Sequence, residues 1–408
     1  MLTLEQKNQF SEILEELGKT LDITETQYNA VVKSYEAVGL QLSKNDSTLA
    51  LYKPEILPQG SFMLGTMIQP VHEKDDLDID LVCQLIGKKQ EWTQYDLKQK
   101  VGDQLKANAN YARILKKPEG RRCWTLVYSE AANYHLDILP AIVDYGYRII
   151  LEKAFSATEL KQIDQLALRI TDSKEENYRI ERNHLNWLKS NPFGYGRWFY
   201  QQATLDFIKA FSINESIAPV PKYRKEKLPL QRVVQILKRH RDMVFNGHEH
   251  KPISIIITTL ASKAYNKEPN IIDALQNVIE RMPLHIEERY SPKYGKTIKW
   301  IGNPINDEEN FADKWVDEPQ RELNFYKWMN QVKLDIENVL GKRGLHLIQE
   351  SLEKPFGKNV ILKTFSNYAD NVLKQREGGI LKMAAVTGTL GNTGRTPVPQ
   401  HNPSGKNE

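Results

Sequence analysis

Apolar side chains recur every three or four residues towards both ends of the chain and alternate with polar side chains in the stretch between. The helical spacing covers residues 3–44, where it predicts one long or two consecutive helices, and it returns from about 155 to 383, broken by proline-containing loops. Residues 52–150 instead carry short segments of period two, which are typical of strands. The pattern predicts an α+β protein with its sheet in the first half.

Three parts are expected along the chain. Residues 1–155 contain the N-terminal helix and the sheet-bearing core, with the clearest strand patterns in 77–85, 123–128 and 134–143. Residues 156–383 form a helical domain. Residues 384–408 are rich in Gly, Pro, Thr and Asn and nearly devoid of large apolar side chains, which predicts a flexible tail.

Composition narrows the class of protein only a little. The 408 residues carry a net charge of +4, too weak to argue for avid nucleic-acid binding but compatible with small anionic substrates. The two cysteines, Cys83 and Cys123, have no paired spacing, so they build neither a disulfide framework nor a cysteine-based zinc site. No apolar run approaches the roughly 18 to 20 residues that span a bilayer. We therefore expect a soluble, cytoplasmic protein without a membrane partner.

Aspartates occupy the polar positions of two predicted strands. In LDIDLV, residues two apart share a face, so Asp78 and Asp80 project together, and Asp137 has the equivalent position in HLDILPAI. Three converging carboxylates are what a two-metal phosphoryl-transfer site requires. A solvated acidic strand edge is the plain alternative, and Asp76 is in phase with the pair. We assign Asp78 and Asp80 because a hydrophobic strand continues directly from Asp80.

A glycine-serine pair precedes these aspartates, in the segment PQGSFMLGT. Gly60 lets the backbone approach a phosphate closely, and Ser61 offers a hydroxyl at the start of a helix-compatible stretch. By itself such a pair is a turn. The P-loop pattern G-x-x-x-x-G-K-[ST] does not occur in the chain, which disfavours a P-loop kinase or ATPase.

The order Gly60-Ser61, then Asp78-x-Asp80, then Asp137 in an alternating strand resembles the DNA polymerase β-like nucleotidyltransferase superfamily. The long N-terminal helix and helical second half make the chain most similar to the bacterial cGAS/DncV-like nucleotidyltransferases. The resemblance implies a bilobal nucleotidyltransferase core with an N-terminal spine helix. It also implies an oligoadenylate synthase-like helical domain that closes the active-site cleft.

A second match lies at residues 229–265, which are similar to a lysine-bearing helix followed by a Pro-x-Ser helix in that family. By resemblance, Lys238 and Ser254 contact the triphosphate of the bound nucleotide. The β-branched residues 253–259 favour a strand by propensity alone. The resemblance argues for a buried helix, with Pro252 at its first position.

The resemblance also implies the chemistry. Asp78, Asp80 and Asp137 would be the catalytic residues and would hold two Mg²⁺ ions, for which Mn²⁺ can substitute. ATP and other NTPs would be joined into a cyclic di- or trinucleotide second messenger of anti-phage (CBASS) signalling, with release of pyrophosphate. Regulatory or conjugating partner proteins of the same defence system are compatible with this role. Activation by double-stranded DNA is not implied, because two cysteines cannot build the zinc site of the animal DNA sensor.

Weaker signals leave alternatives open. In NPFGYGRWFYQ, Tyr195 could stack on a base and Arg197 could pair with phosphate, although packing between domains is the favoured interpretation. A synthase of linear oligonucleotides, or an enzyme that adds nucleotides to RNA ends, would use the same carboxylates. A catalytically dead nucleotide-binding sensor or scaffold is the alternative from another class, which the presence of all three aspartates disfavours.

Overall fold

The computed structural model describes residues 2–72, 75–128, 133–143, 167–205, 223–385 and 387–399. The chain divides into two compact units. The sheet unit comprises Ile23–Arg224 and Gly302–Glu309, and the helical unit comprises Met1–Asp22, Lys225–Ile301 and Asn310–Glu408. Each unit is described by itself below. The predicted boundary at residues 155 and 156 lies outside the described residues, so that division of the chain stays a prediction.

Two separate helices open the chain, as one of the two sequence interpretations predicts. Helix α1 spans Leu4–Leu21 and α2 spans Glu25–Leu42. Thr3 and Thr24 precede these helices, and each forms a capping box. The threonine hydroxyl accepts a hydrogen bond from the backbone N–H of the third helical residue, a glutamine, and the side chain of that glutamine accepts one from the backbone N–H of the threonine. The cap at Thr24 therefore ends the possibility of one continuous helix.

A six-stranded sheet forms the centre of the sheet unit. Its strands are β1 Glu55–Pro58, β2 Leu77–Ile86, β3 Trp124–Tyr128, β4 Tyr134–Val143, β5 Leu168–Ile170 and β6 Leu188–Ser190. The order is β1-β2-β4-β5-β6, and β3 also pairs with β4. Strands β2 and β4 are parallel, whereas the other pairs are antiparallel. The three strands predicted from alternation are confirmed.

One face of this sheet is covered, and the opposite face carries the polar positions at the start of β2 and β4. The remaining helices of the unit are α3 Gly60–Met63, α4 Gln94–Lys106, α5 Ala109–Ile114 and α6 Pro192–Ala203. Apolar residues of β2, β4, α2 and α4 form one buried cluster. Gly102 of α4 lets the helix approach the sheet, since a Cβ there would overlap the Trp124 ring. The register therefore turns Ile79 inwards and Asp78 and Asp80 to the opposite face.

Helices dominate the helical unit. After α1 they are α7 Pro229–Phe245, α8 Ser254–Ala264, α9 Ile271–Arg281, α10 Pro319–Gly341, α11 Leu345–Phe356 and α12 Lys358–Glu377. Helix α7 is central, because every side chain from Leu230 to Arg241 is buried. In the part of the chain described, no helix is both long and apolar enough to cross a membrane.

Two short strand pairs lie in the second half of the chain, which the sequence predicts to be mostly helical. Strands β7 Glu287–Ser291 and β8 Lys296–Trp300 are antiparallel, and β9 Gly302–Asn303 pairs with β10 Asn306–Asn310. The sequence did not reveal these strands individually, because β7 and β10 are largely exposed and charged and so lack an apolar period.

Short strands occur in the described part of the tail expected from residue 384, and the flexibility of that tail stays a prediction. Strands β11 Lys382–Met383, β12 Leu390–Gly391 and β13 Thr396–Pro397 form a small antiparallel sheet. Leu381 and Ala384 beside it are buried. Backbone groups can pair in this way without a hydrophobic core of their own, which composition does not reveal.

Candidate active site

The parallel pairing of β2 and β4 brings the predicted carboxylates together. Its register places Asp80 opposite Asp137 and Asp78 opposite His135. Paired residues of neighbouring strands point to the same face, so these four side chains share the face opposite the core. Their apolar neighbours, such as Ile79 and Leu136, are fully buried and fix the register. We name Asp78, Asp80 and Asp137 the carboxylate site.

Thr125 orients one member of this site. It lies opposite Asp137 in the β3–β4 register and is largely buried. Its hydroxyl donates to Oδ1 of Asp137 at 2.5 Å. A charge-assisted bond of this length restrains the carboxylate and leaves its orientation defined.

His135 contacts the more exposed carboxylate. Its Nδ1 lies 3.0 Å from Oδ1 of Asp78, whose side chain is 71% exposed, and its Nε2 lies 3.5 Å from Oδ2 of Asp76. The hydrogen bond to Asp78 raises the pKa of His135 above its ordinary value, burial opposes the rise, and the surrounding carboxylate charges add to it. The surrounding carboxylates therefore favour the charged form of the imidazole, which balances negative charge at this end of β2.

The carboxylate site offers the oxygen donors that a divalent cation such as Mg²⁺ prefers. Among the described residues, no group of three or more His, Cys, Asp and Glu side chains is already arranged to hold a metal ion. Asp78 contacts His135, and like charges repel when no cation lies between them. Burial, followed by the charges of Asp137 and Asp80, raises the pKa of nearby Cys123 to about 12, so no thiolate competes for the ion. The donor set therefore fits Mg²⁺ by its chemistry.

Gly60 lies directly against the carboxylate site. Its φ is +58°, and a Cβ there would come within 2.5 Å of Oδ2 of Asp80. The backbone N–H of Gln59 donates to the carbonyl of Asp80 at 2.9 Å, which holds the loop on β2. Ser61 follows as the second residue of the single-turn helix α3. The predicted phosphate loop therefore lies beside the predicted aspartates. Only glycine can occupy position 60 without strain or a clash, because the position combines a positive φ with a close approach to Asp80.

The second group of predicted residues belongs to the helical unit. Lys238 is a buried residue of α7, and Ser254 is the first residue of α8. Nη1 of Arg241 donates to Oγ of Ser254 at 2.9 Å. Sequence analysis identified Lys238 and Ser254 by resemblance but missed Arg241, whose role depends on side-chain geometry.

The helix predicted over residues 253–259 is confirmed against its strand-like propensity. Its start is corrected: α8 begins at Ser254, so Pro252 precedes the helix instead of opening it. Ile253 occupies the cap position and is exposed, because only residues after the cap take part in the buried stripe. The stripe includes Ile256 and Leu260.

Tyr195 and Arg197 lie in α6 and are each only 6% exposed. The ring of Tyr195 lies 5.4 Å from that of Trp198, and burial lowers the pKa of Arg197. A ring so deeply buried offers little face to a base. These contacts lie within the sheet unit, and both packing between domains and a nucleotide-binding role of the two residues stay predictions.

Comparisons with known proteins agree with this architecture. The family of Cyclic GMP-AMP synthase DncV-like nucleotidyltransferase domains matches residues 54–140, which contain the phosphate loop and all three aspartates. A c-di-GMP synthase of Roseivirga ehrenbergii is 26% identical over 385 residues, covering 93% of each chain. The cyclic dinucleotide synthase CdnG of Bradyrhizobium diazoefficiens is 21% identical over 403 residues, covering 91% of this chain and 88% of that one.

A solved structure of the Bradyrhizobium diazoefficiens CD-NTase CdnG in complex with GTP shares the fold. It is 18% identical, covers 88% of this chain and 99% of that chain, and has a TM-score of 0.64. Nucleotidyltransferases of this kind generally use divalent metal ions, in keeping with the donor set above. The resemblance inferred from the motifs is confirmed, because residues 54–140 match the DncV-like nucleotidyltransferase domain and nearly the whole chain is similar to two cyclic dinucleotide synthases.

Proposed function

We propose that this nucleotidyltransferase joins nucleoside triphosphates into a cyclic di- or trinucleotide that acts as a second messenger in anti-phage signalling. The observation that carries the proposal is the pairing of Asp80 with Asp137 beneath the Gly60 loop. The similarity to two cyclic dinucleotide synthases, which extends over nearly their full lengths, supports the proposal. Because one of them is a c-di-GMP synthase, GTP is the first substrate to test.

Asp78, Asp80 and Asp137 would hold two Mg²⁺ ions. When bound, such ions neutralise phosphate charge and activate the attacking hydroxyl. Mn²⁺ would substitute because it accepts the same oxygen ligands.

The chain's own residues then account for the transfer. Asp137, oriented by Thr125, accepts the proton of an attacking ribose hydroxyl. The hydroxyl oxygen forms a bond to the α-phosphorus of the triphosphate while the bond from that phosphorus to pyrophosphate breaks. The Gly60 backbone and Ser61 would contact the triphosphate and keep the attack in line. The contact of Lys238 and Ser254 with a triphosphate stays the prediction made by resemblance. A second transfer within the linear intermediate closes the ring.

Product analysis tests this proposal. The protein is incubated with Mg²⁺ and labelled NTPs, singly and mixed, and the products are treated with phosphatase. We expect a phosphatase-resistant product, because a cyclic molecule has no terminal phosphate. Linear products alone would replace the cyclic proposal by the linear or RNA-end alternatives, and the absence of any NTP-derived product, with and without candidate activators, would support the binding-protein alternative.

The double variant Asp78→Asn with Asp80→Asn is the matched control. It retains side-chain volume and removes two charges, so turnover should fall by at least about 10³-fold at an unchanged circular dichroism spectrum. Persistent turnover would mean that other carboxylates carry the reaction.

Two sequence predictions accompany this function. Regulatory or conjugating partner proteins of the same defence system stay a prediction, to be tested by co-purification with neighbouring gene products. A cytoplasmic location also stays a prediction, and the proposed NTP substrates fit it.

A further inference from the structure

Arg241 is the centre of a hydrogen-bonded network in the helical unit. It lies one helical turn after Lys238 on α7, and its side chain is buried. One guanidinium nitrogen, Nη1, donates to Oγ of Ser254 at 2.9 Å and to the carbonyl of Pro252 at 3.1 Å. Arg241 thus connects α7 to both the loop before α8 and the first residue of that helix.

Asp242 fixes the direction of this guanidinium. Nε and Nη2 of Arg241 donate to its two carboxylate oxygens at 2.9 and 3.0 Å, and Nζ of Lys251 lies 3.1 Å from Oδ1. Burial would raise the pKa of Asp242, but the charges and hydrogen bonds of Arg241 and Lys251 outweigh it and hold the pKa below its ordinary value. The carboxylate therefore stays ionised and occupies one edge of the planar guanidinium. The remaining nitrogen, Nη1, is directed towards the start of α8, where it makes the two hydrogen bonds described above.

This arrangement decides which way the Ser254 hydroxyl donates. A guanidinium has donors and no acceptor, so Ser254 must accept from Arg241 with an oxygen lone pair. Its own proton is consequently not used in that contact. Ser254 is half-buried and begins α8, where the first backbone N–H groups have no acceptor within the helix. The hydroxyl proton and these N–H groups together form a donor set suited to an anion.

We infer that Arg241 is a positioning residue, which holds Ser254 Oγ as an acceptor and thereby keeps the Ser254 hydroxyl proton available to a phosphate oxygen of the bound nucleoside triphosphate. The inference rests on the proposed function, which assigns Ser254 to the triphosphate. Arg241 itself is already neutralised by Asp242, so it acts through Ser254 and not as a free cation. We name Arg241, Asp242, Lys251 and Ser254, with the Pro252 carbonyl, the Arg241 network.

A double-mutant cycle with inorganic tripolyphosphate tests the inference. The probe carries the phosphate chemistry without a base, so it is independent of which NTP the enzyme prefers. Binding in the presence of Mg²⁺ is measured by calorimetry for the full chain, for Arg241→Lys, for Ser254→Ala and for the double variant. Lysine retains the charge but cannot bind Asp242 and Ser254 at once.

We expect Ser254→Ala and Arg241→Lys each to weaken tripolyphosphate binding by about 10-fold, the effect of one hydrogen bond to a charged group. In the Ser254→Ala background, Arg241→Lys should change the affinity by less than about twofold, since its effect passes through the hydroxyl. The KM for the preferred NTP should follow the same pattern, whereas kcat should change less.

Arg232→Lys is the matched control. Arg232 is another buried arginine of α7, and it is paired with Glu15 at 2.9 Å and Asp22 at 2.8 Å, away from Ser254. This variant should lower Tm while leaving tripolyphosphate affinity within about twofold. If Arg241→Lys does not fold, Asp242→Asn keeps Arg241 but loosens its orientation, and it should weaken binding only when Ser254 is present.

The outcomes separate the inference from the proposed function. Equal weakening by Arg241→Lys in both backgrounds, or a loss of Tm with unchanged affinity, would overturn the role of Arg241 alone. An unchanged affinity in Ser254→Ala would contradict the assignment of Ser254 to the triphosphate, and the inference would fall with it.

Discussion

The carboxylate site of the sheet unit and the Arg241 network of the helical unit place their polar groups by different means. In the first, main-chain pairing sets the positions: Asp80 and Asp137 are register partners, and the Gln59 N–H holds the loop to β2. In the second, side chains position one another, from Asp242 through Arg241 to Ser254. A change to a carboxylate should therefore remove chemistry and leave the fold, whereas a change in the network should affect binding and stability together.

The sharpest way to challenge this contrast is to change the backbone of the sheet site without touching a carboxylate. Gly60→Ala should lower turnover by about 100-fold, because the added methyl group would lie 2.5 Å from Oδ2 of Asp80 and must displace it. Initial rates with labelled NTPs measure the effect.

Gly87→Ala is its control. Gly87 follows β2 and also has a positive φ, of +83°, but a methyl group added there would have no other heavy atom within 4 Å. Both variants should incur a similar backbone strain of about 1 kcal/mol. Similar turnover in the two variants would show that the close approach of Gly60 to Asp80 has no catalytic importance.

A smaller effect is expected where a side chain assists the register. Thr125→Val removes the hydroxyl that donates to Asp137 and keeps the β-branched shape, so turnover should fall by about 10-fold and more Mg²⁺ should be needed for half-maximal rate. Thr125→Ser restores a hydroxyl and should recover most of the rate. An unchanged Mg²⁺ requirement in Thr125→Val would limit Thr125 to a structural role.

The same contrast explains what could be predicted from sequence. Alternation identifies the first halves of β2 and β4, where buried apolar positions alternate with polar ones, whereas the second halves are buried on both faces. It does not reveal that these strands are parallel neighbours, so convergence of Asp80 with Asp137 depended on the family motif. Thr125 was missed because its partner Asp137 is determined by the pairing of two strands, which the sequence does not show. Its polar position in the alternating segment 123–128 was the one available signal.

The helical unit was harder to predict in detail. Lys238 and Ser254 were identified only by resemblance, and nothing in the sequence singled out Arg241. A stripe gives the face of a helix that is buried but not which buried polar groups bond to one another. The exposed strands β7 and β8 were missed because a charged hairpin carries no apolar period.

The smallest effect on turnover is expected from changes that act on stability alone, at glycines in the two N-terminal helices. A methyl group at Gly18 of α1 would lie 2.5 Å from Cδ of Arg232, which is fully buried and held by Glu15 and Asp22, so Gly18→Ala should destabilise the helical unit by about 1 to 3 kcal/mol. A methyl group added at Gly39 of α2 would come no nearer than 3.8 Å to a neighbouring side chain, so Gly39→Ala should stabilise its helix by up to about 1 kcal/mol. Calorimetric unfolding measures both, and turnover per folded molecule should change little in either. If Gly18→Ala were as stable as the unaltered chain, the Arg232 side chain would be able to shift without losing its ion pairs. Side-chain networks in this unit would then accommodate an added methyl group more easily than the carboxylate site does.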